Sequence, residues 1–183
     1  EKGRTKPLSR VEAKQLLDIL KTINFATYIF AFIALNSGRR ASEVLALRWE
    51  GIDFEKKQIS FVVKKLSFEK RVSITYSDGL FEDLRLLKRC NSYSSPSSPV
   101  FMRTNGQPMS YPAVWNRFRK ASSMLGKQVT PHCLRSTFVS IAAEEGHSHT
   151  DIQSCTGHQS LSMIQYYDHT SEQGSLTQKF SVV

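Results

Sequence analysis

Residues 25–44 read FATYIFAFIALNSGRRASEV, running from Phe25 to Val44. From about Phe25 to Asn36 the segment is apolar on most faces, which predicts a helix buried at the centre of the molecule. Ser37-Gly38 stops it, because glycine readily takes the left-handed conformation that closes a helix. A helical pattern resumes from Arg40 to Leu47, so Arg39 and Arg40 stand at the joint between a buried helix and its successor, a place where function often sits.

Working outward, Ser9 with Glu12 three residues on forms a capping box, and Val11, Leu16, Leu17 and Leu20 then recur at helical spacing. Between Gln58 and Thr75 the period drops to two, with Ile59, Phe61 and Val63 before a polar turn and Val72 and Ile74 after it, the pattern of a β-hairpin. A helix is expected over about Gly79 to Cys90, followed by a Ser- and Pro-rich surface loop from Asn91 to Pro99. Val100 to Met102 suggests a short strand and Asn105-Gly106 a turn. Ser110 caps a helix reaching about Leu125, and Thr130-Pro131 starts another that ends at Gly146. Two short helices follow, over about Thr150 to Cys155 and Leu161 to Tyr167, and no internal repeat is evident. The class is α+β, mostly α-helical with a small antiparallel β-sheet, and residues 1–183 fit one domain.

A chain of 183 residues buries roughly 70% of the surface its unfolded form exposes. Its 25 Lys and Arg against 16 Asp and Glu leave a net charge of +9, with a pI near 9.6, so a polyanion is the natural partner. Cys90, Cys133 and Cys155 are odd in number, far apart and free of C-x-x-C spacing, which argues against a disulfide framework or a zinc knuckle and for a reduced cytoplasmic setting. The most apolar stretch, Phe25 to Leu35, is too short to span a membrane. The N-terminus has neither a Met nor a signal-peptide pattern, as expected of a fragment of a longer protein.

The polar side chains near helix starts and turns are mostly basic: Arg40 with Glu43, Lys64 and Lys65, His132 with Arg135, and His158. Tyr167 follows them. His132 and Arg135, at i and i+3 in the helix opening at Pro131, are expected to project from one face near an N-terminus, where backbone N–H groups favour an anion such as phosphate. Taken in order, these residues resemble the tyrosine recombinase (phage integrase) family over nearly the whole chain. Ser37-Gly38-Arg39-Arg40-Ala41-Ser42-Glu43-Val44 resembles its first arginine box, with Arg40 at the catalytic arginine and Glu43 at its supporting acid. Pro131-His132-Cys133-Leu134-Arg135 matches the H-x-x-R box, and Thr156-Gly157-His158 resembles the G-H motif. Nine residues after His158, Tyr167 falls at the nucleophile. The hairpin resembles the element carrying the catalytic lysine, and counting back seven residues from Val72 selects Lys65.

The resemblance implies a DNA strand-exchange enzyme acting on double-stranded DNA through a 3′-phosphotyrosyl link, with a tetrameric synapse on DNA and a separate DNA-clamping domain. The chemistry needs these residue types together. Charge developing on the phosphate oxygens calls for the planar forks of Arg40 and Arg135. A tyrosine of pKa about 10 needs a base, for which His132 serves. The departing 5′ oxygen needs a proton, for which Lys65 is the candidate. His158 would donate a hydrogen bond to the same phosphate, and such a site calls for neither a metal ion nor any small-molecule cofactor.

Some choices stay open. Tyr166 and Tyr167 point about 100° apart on a helix, so only one can face a phosphate, and Lys64 competes with Lys65 because hairpin register is easily misread. His147, His149 and His169 read as loop or DNA-facing residues without metal partners. Arg39, Ser136 and Ser73 depart from the family pattern, where an apolar residue, a histidine and a proline are common. The tail from Asp168 has too few apolar residues for a core of its own and is expected to dock elsewhere, in the family often on a neighbouring protomer. The alternatives are a non-enzymatic helix-turn-helix-like DNA-binding module built on Thr150 to Tyr167, which leaves Arg40, Lys65, His132 and Arg135 unexplained, and a relaxing topoisomerase using the same tyrosine chemistry.

Overall fold

The computed structural model of the chain describes residues 6–65, 68–156 and 182. Helix α1 (Arg10–Ile23) begins at the capping box: Ser9 Oγ accepts from the Glu12 amide at 3.2 Å, and the Ser9 amide donates to Glu12 Oε2 at 2.8 Å. Its inner stripe is Ala13, Leu16, Leu17 and Leu20. Val11, expected on that stripe, is instead 67% exposed, because it lies five residues before Leu16 and so falls off the three-and-four spacing of the buried face.

Helix α2 (Phe25–Leu35) is the central rod, as its composition predicts. Asn24 caps it by accepting from the Thr27 amide at 2.9 Å, and α1 packs on one side of it while α6 packs on another. Phe30 meets Phe101 and Phe118 edge-to-face, with ring centroids 6.0 and 6.4 Å apart, a favoured aromatic geometry. The chain then turns at Gly38, whose φ is +60°, into the short helix α3 (Ala41–Leu45).

A single 3₁₀ turn, Trp49–Gly51, leads into an antiparallel sheet of order β1-β2-β3, formed by Ile52–Asp53, Gln58–Lys65 and Phe68–Thr75. Ile59 pairs with Ile74 and Phe61 with Val72, and Ile59, Phe61 and Val63 are buried as their alternation predicts. Helix α4 (Asp78–Cys90) follows. Val100 to Met102 does not form the expected strand: only single bridges, Arg48 to Pro99 and Met102 to Pro108, are made there, too few for a ladder. Helix α5 (Tyr111–Leu125) starts after Ser110, which takes the extended cap conformation without a side-chain cap bond. Helix α6 (Pro131–Glu144) has Thr130 at its N-cap, its hydroxyl accepting from the Cys133 amide at 3.3 Å, and α7 (His149–Thr156) closes the described part. The expected helix over Leu161 to Tyr167 lies outside the described residues, and so does the second half of the helix-turn-helix alternative.

Val182, from the polar tail, is buried on the chain's own core. Its amide donates to Asn36 Oδ1 at 2.6 Å and its carbonyl accepts from Arg10 Nη1 at 2.9 Å. Among the described residues no helix is long and apolar enough to cross a membrane.

Burial pushes the Cys133 thiol up to about 11, so it stays protonated and poorly nucleophilic at neutral pH. Cys90 is exposed. Alkylation of the native chain at neutral pH should therefore label Cys90 first and leave Cys133 untouched, as peptide mass spectrometry can read. Equal labelling of both would show that α6 is not packed as described.

Candidate active site

The joint between α2 and α3 is the meeting point. Gly38 approaches α6 and the end of α7 so closely that an added Cβ would stand 2.5 Å from Phe138 Cδ1 and 2.8 Å from Thr156 Cγ2. That approach lets Arg135, one turn into α6, reach across: its Nη1 donates to the Gly38 carbonyl and to the Thr156 carbonyl, both at 2.9 Å. One nitrogen thus ties together three segments that lie far apart in sequence.

Arg40 stands on the outer side of the same joint with its side chain 48% exposed. Glu43, one turn on, accepts from the Arg40 amide at 3.1 Å and from Arg40 Nη1 at 3.3 Å. The carboxylate at the start of α3 therefore holds the arginine that precedes it. Arg39 turns inward and its side chain is 1% exposed. Its Nη2 donates to the Cys155 carbonyl, its Nη1 lies 3.9 Å from Glu43 Oε2, and its guanidinium carbon sits 6.0 Å from the centroid of the Phe61 ring.

Three guanidinium groups and one carboxylate thus gather at one place. The Arg135 guanidinium registers it: burial foremost, then the charge of Arg40, push it down to about 10, with Glu43 pulling the other way and Arg39 adding to the fall. Burial likewise lowers Arg39, opposed first by Glu43. A cluster of cations held partly out of water is a place where an anion is strongly favoured.

Of the six residues singled out in the sequence, Arg40 and Arg135 come together here. His132 and Arg135 stand three residues apart in the one helix α6, as expected. His132 is exposed at the first turn, whereas Arg135 is 6% exposed in the stretch Cys133 to Val139, which is buried on every side. Lys65 is the last residue of β2 and its backbone pairs with Phe68, while Lys64 pairs with Glu69. His158 and Tyr167, with its neighbour Tyr166, lie outside the described residues. Arg39 is the participant that sequence reasoning left as a mere departure from pattern. The one signal for it was a cation directly after Gly38, at a position where the family commonly has an apolar residue. Among the described residues no group of three or more His, Cys, Asp or Glu side chains is placed to hold a metal ion.

A model of the phage integrase family matches residues 6–173, and the chain belongs to that family. Similar proteins include the virulence plasmid integrase pGP8-D of Chlamydia muridarum, 30% identical over 184 residues that span 98% of this chain and 54% of that protein. The XerA recombinase crystal structure shares the fold with a TM-score of 0.75 at 21% identity, covering 93% of this chain and 62% of that one. The Tn1549 transposon integrase in complex with circular intermediate DNA gives a TM-score of 0.76 at 19% identity over 93% and 64%. The chain spans about half the length of the curated relatives it matches.

Proposed function

We propose that the chain is the catalytic domain of a tyrosine-type site-specific DNA recombinase, acting in integration, excision or resolution through a 3′-phosphotyrosyl intermediate. The observation that carries this reading is the arrival of Arg40 and Arg135, 95 residues apart in sequence, at one joint where Glu43 binds Arg40. The family match supports it, as do fold neighbours solved with DNA: the Tn1549 integrase and XerH bound to difH.

In this reading the scissile phosphate lies over the α2–α3 joint with its nonbridging oxygens toward Arg40 and Arg135. The Tyr167 oxygen forms a bond to phosphorus as the bond to the 5′ oxygen breaks. The phenolic proton passes to His132, and the 5′ oxygen takes a proton from Lys65. His158 donates a hydrogen bond to the same phosphate. In the second step a 5′ hydroxyl of a partner duplex attacks the phosphotyrosine and its proton returns to Lys65, while the bond from phosphorus to the Tyr167 oxygen breaks and that oxygen takes back the proton held on His132. Bond energy is kept in the phosphodiester throughout, so the chemistry itself calls for no metal ion and no nucleotide triphosphate. Residues 1–183 act as one unit in this scheme, associated with DNA in the cytoplasm and self-assembled into a tetrameric synapse. The binding-module alternative gains nothing from the family match.

The test is covalent capture. The chain is incubated with a pool of nicked duplexes whose sequence around the nick is randomised, and denaturing electrophoresis then resolves adducts. A detergent-resistant adduct of protein with DNA, with an enriched sequence in the captured strands, is the expected result. A folded chain that yields no adduct from any duplex contradicts the reading.

A further inference from the structure

Arg39 presents a problem of its own. It is the largest fully buried side chain among the described residues, its Nε has no hydrogen-bond partner there, and taking a guanidinium out of water is expensive unless it is fully paired. Packing over Phe61 would be served as well by an apolar side chain, which is less costly to bury. What an apolar side chain cannot do is grip a carbonyl and neutralise a carboxylate. Arg39 does the first at Cys155 and stands within ion-pair distance of Glu43. Arg135 grips the adjacent carbonyl, that of Thr156. Two arginines from different elements therefore hold consecutive carbonyls at the end of α7.

We infer that Arg39 is a positioning residue for the proposed strand-cleavage reaction, clamping the last turn of α7 to the start of α3 and sharing Glu43 with Arg40. It does not reach the reacting phosphate, since it lies beneath the joint on the Phe61 side while Arg40 is the exposed member of the pair. It acts in two ways. Its hold on Cys155 fixes the end of α7 relative to Arg135. Its charge beside Glu43 restrains the carboxylate that orients Arg40. Loss of Arg39 then leaves every proposed reacting group in the chain but lets their spacing relax, and misplacement of an ångström is enough to slow a positioned reaction by a hundredfold.

The inference rests on the recombinase reading, and the experiment separates the two. Arg39→Met and Arg39→Lys are compared with the unaltered chain by adduct formation on a nicked duplex taken from the captured pool, by DNA affinity, by melting temperature and by amide hydrogen exchange in α7. Arg39→Met should form adduct about tenfold or more slowly at saturating DNA while its DNA affinity stays within about threefold, a loss in the chemical step rather than in binding. Amides at the end of α7 should exchange faster. Arg39→Lys, which can still donate to Cys155 and pair with Glu43, should recover part of both losses. An Arg39→Met chain with an adduct rate within about twofold of the unaltered one overturns the inference, and so does a rate loss that only follows the fraction of unfolded protein. If Arg39→Met does not fold, Arg39→Lys and Arg39→Gln bear the same comparison. If the unaltered chain forms no adduct, the recombinase reading fails, while hydrogen exchange still decides whether Arg39 holds α7.

Discussion

Replacing Arg135 by methionine is expected to slow DNA adduct formation a hundredfold or more while changing folding stability by no more than about 2 kcal/mol. The two quantities separate because opposing effects on stability nearly cancel. The substitution strips the Gly38 and Thr156 carbonyls of a donor, and a buried polar group that loses its partner costs about 1 to 3 kcal/mol. It also relieves the folded state of a buried cation that Arg40 and Arg39 disfavour. The sign follows from linkage. A base whose folded pKa, about 10, lies below the ordinary guanidinium value weakens the fold fully at neutral pH, and that penalty lifts only as pH rises through about 10. No such cancellation operates in the proposed reaction, in which the developing phosphate charge would lose one of two guanidinium partners. Arg135→Lys keeps the charge but not the fork and should be nearly as slow. Denaturant titration beside single-turnover adduct formation measures both. A rate per folded molecule that stays unchanged would place Arg135 in the scaffold alone.

Gly38→Ala should lower stability by about 2 to 5 kcal/mol. A non-glycine residue in the left-handed region costs about 1 to 2 kcal/mol, and φ at Gly38 is +60°. The methyl group would also stand 2.5 Å from the Phe138 ring and 2.8 Å from the Thr156 methyl, and forcing extra atoms into a packed interior costs typically about 1 to 3 kcal/mol. For a chain of this length each kcal/mol moves the melting temperature by roughly 2 to 4 °C, so a fall of about 5 to 15 °C is expected. The displaced α2–α3 joint should also slow adduct formation. Gly79→Ala supplies the control, since nothing lies within 4 Å of a Cβ there, and a melting temperature equally lowered by both changes would refute the steric argument.

Which features could be read in advance follows from the range of the forces involved. The Ser9–Glu12 box, the alternation of Ile59, Phe61 and Val63, and the Thr130 cap are local: each is set by residues a few positions apart, so each shows in the string of letters. The failed strand at Val100 to Met102 marks the limit of local reasoning, because a ladder depends on a partner supplied by the fold, whereas the spacing of Val11 from Leu16 already sets it off the buried stripe. Arg40 and Glu43 were legible as a pair because one turn of helix separates them. The inward turn of Arg135 and its grip on two carbonyls were not, since its partners lie 97 and 21 residues away. Arg39 was the least legible. Its partner carbonyl lies 116 residues on, and a backbone oxygen leaves no trace in side-chain identity. The seat of Val182 was equally hidden: a few apolar residues in a polar tail suggest that it docks, not that Asn36 and Arg10 will receive it.

Identifying the residue that carries the DNA bears most directly on the proposed chemistry. Captured adduct is digested with nuclease and protease, and the modified peptide is sequenced by mass spectrometry. A nucleotide remnant joined through phosphate to the Tyr167 oxygen, absent from Tyr167→Phe and retained in Tyr166→Phe, is the outcome expected. A remnant on Tyr166, on a serine or on a histidine, or an undiminished adduct in Tyr167→Phe, would contradict the assignment of Tyr167 as the nucleophile.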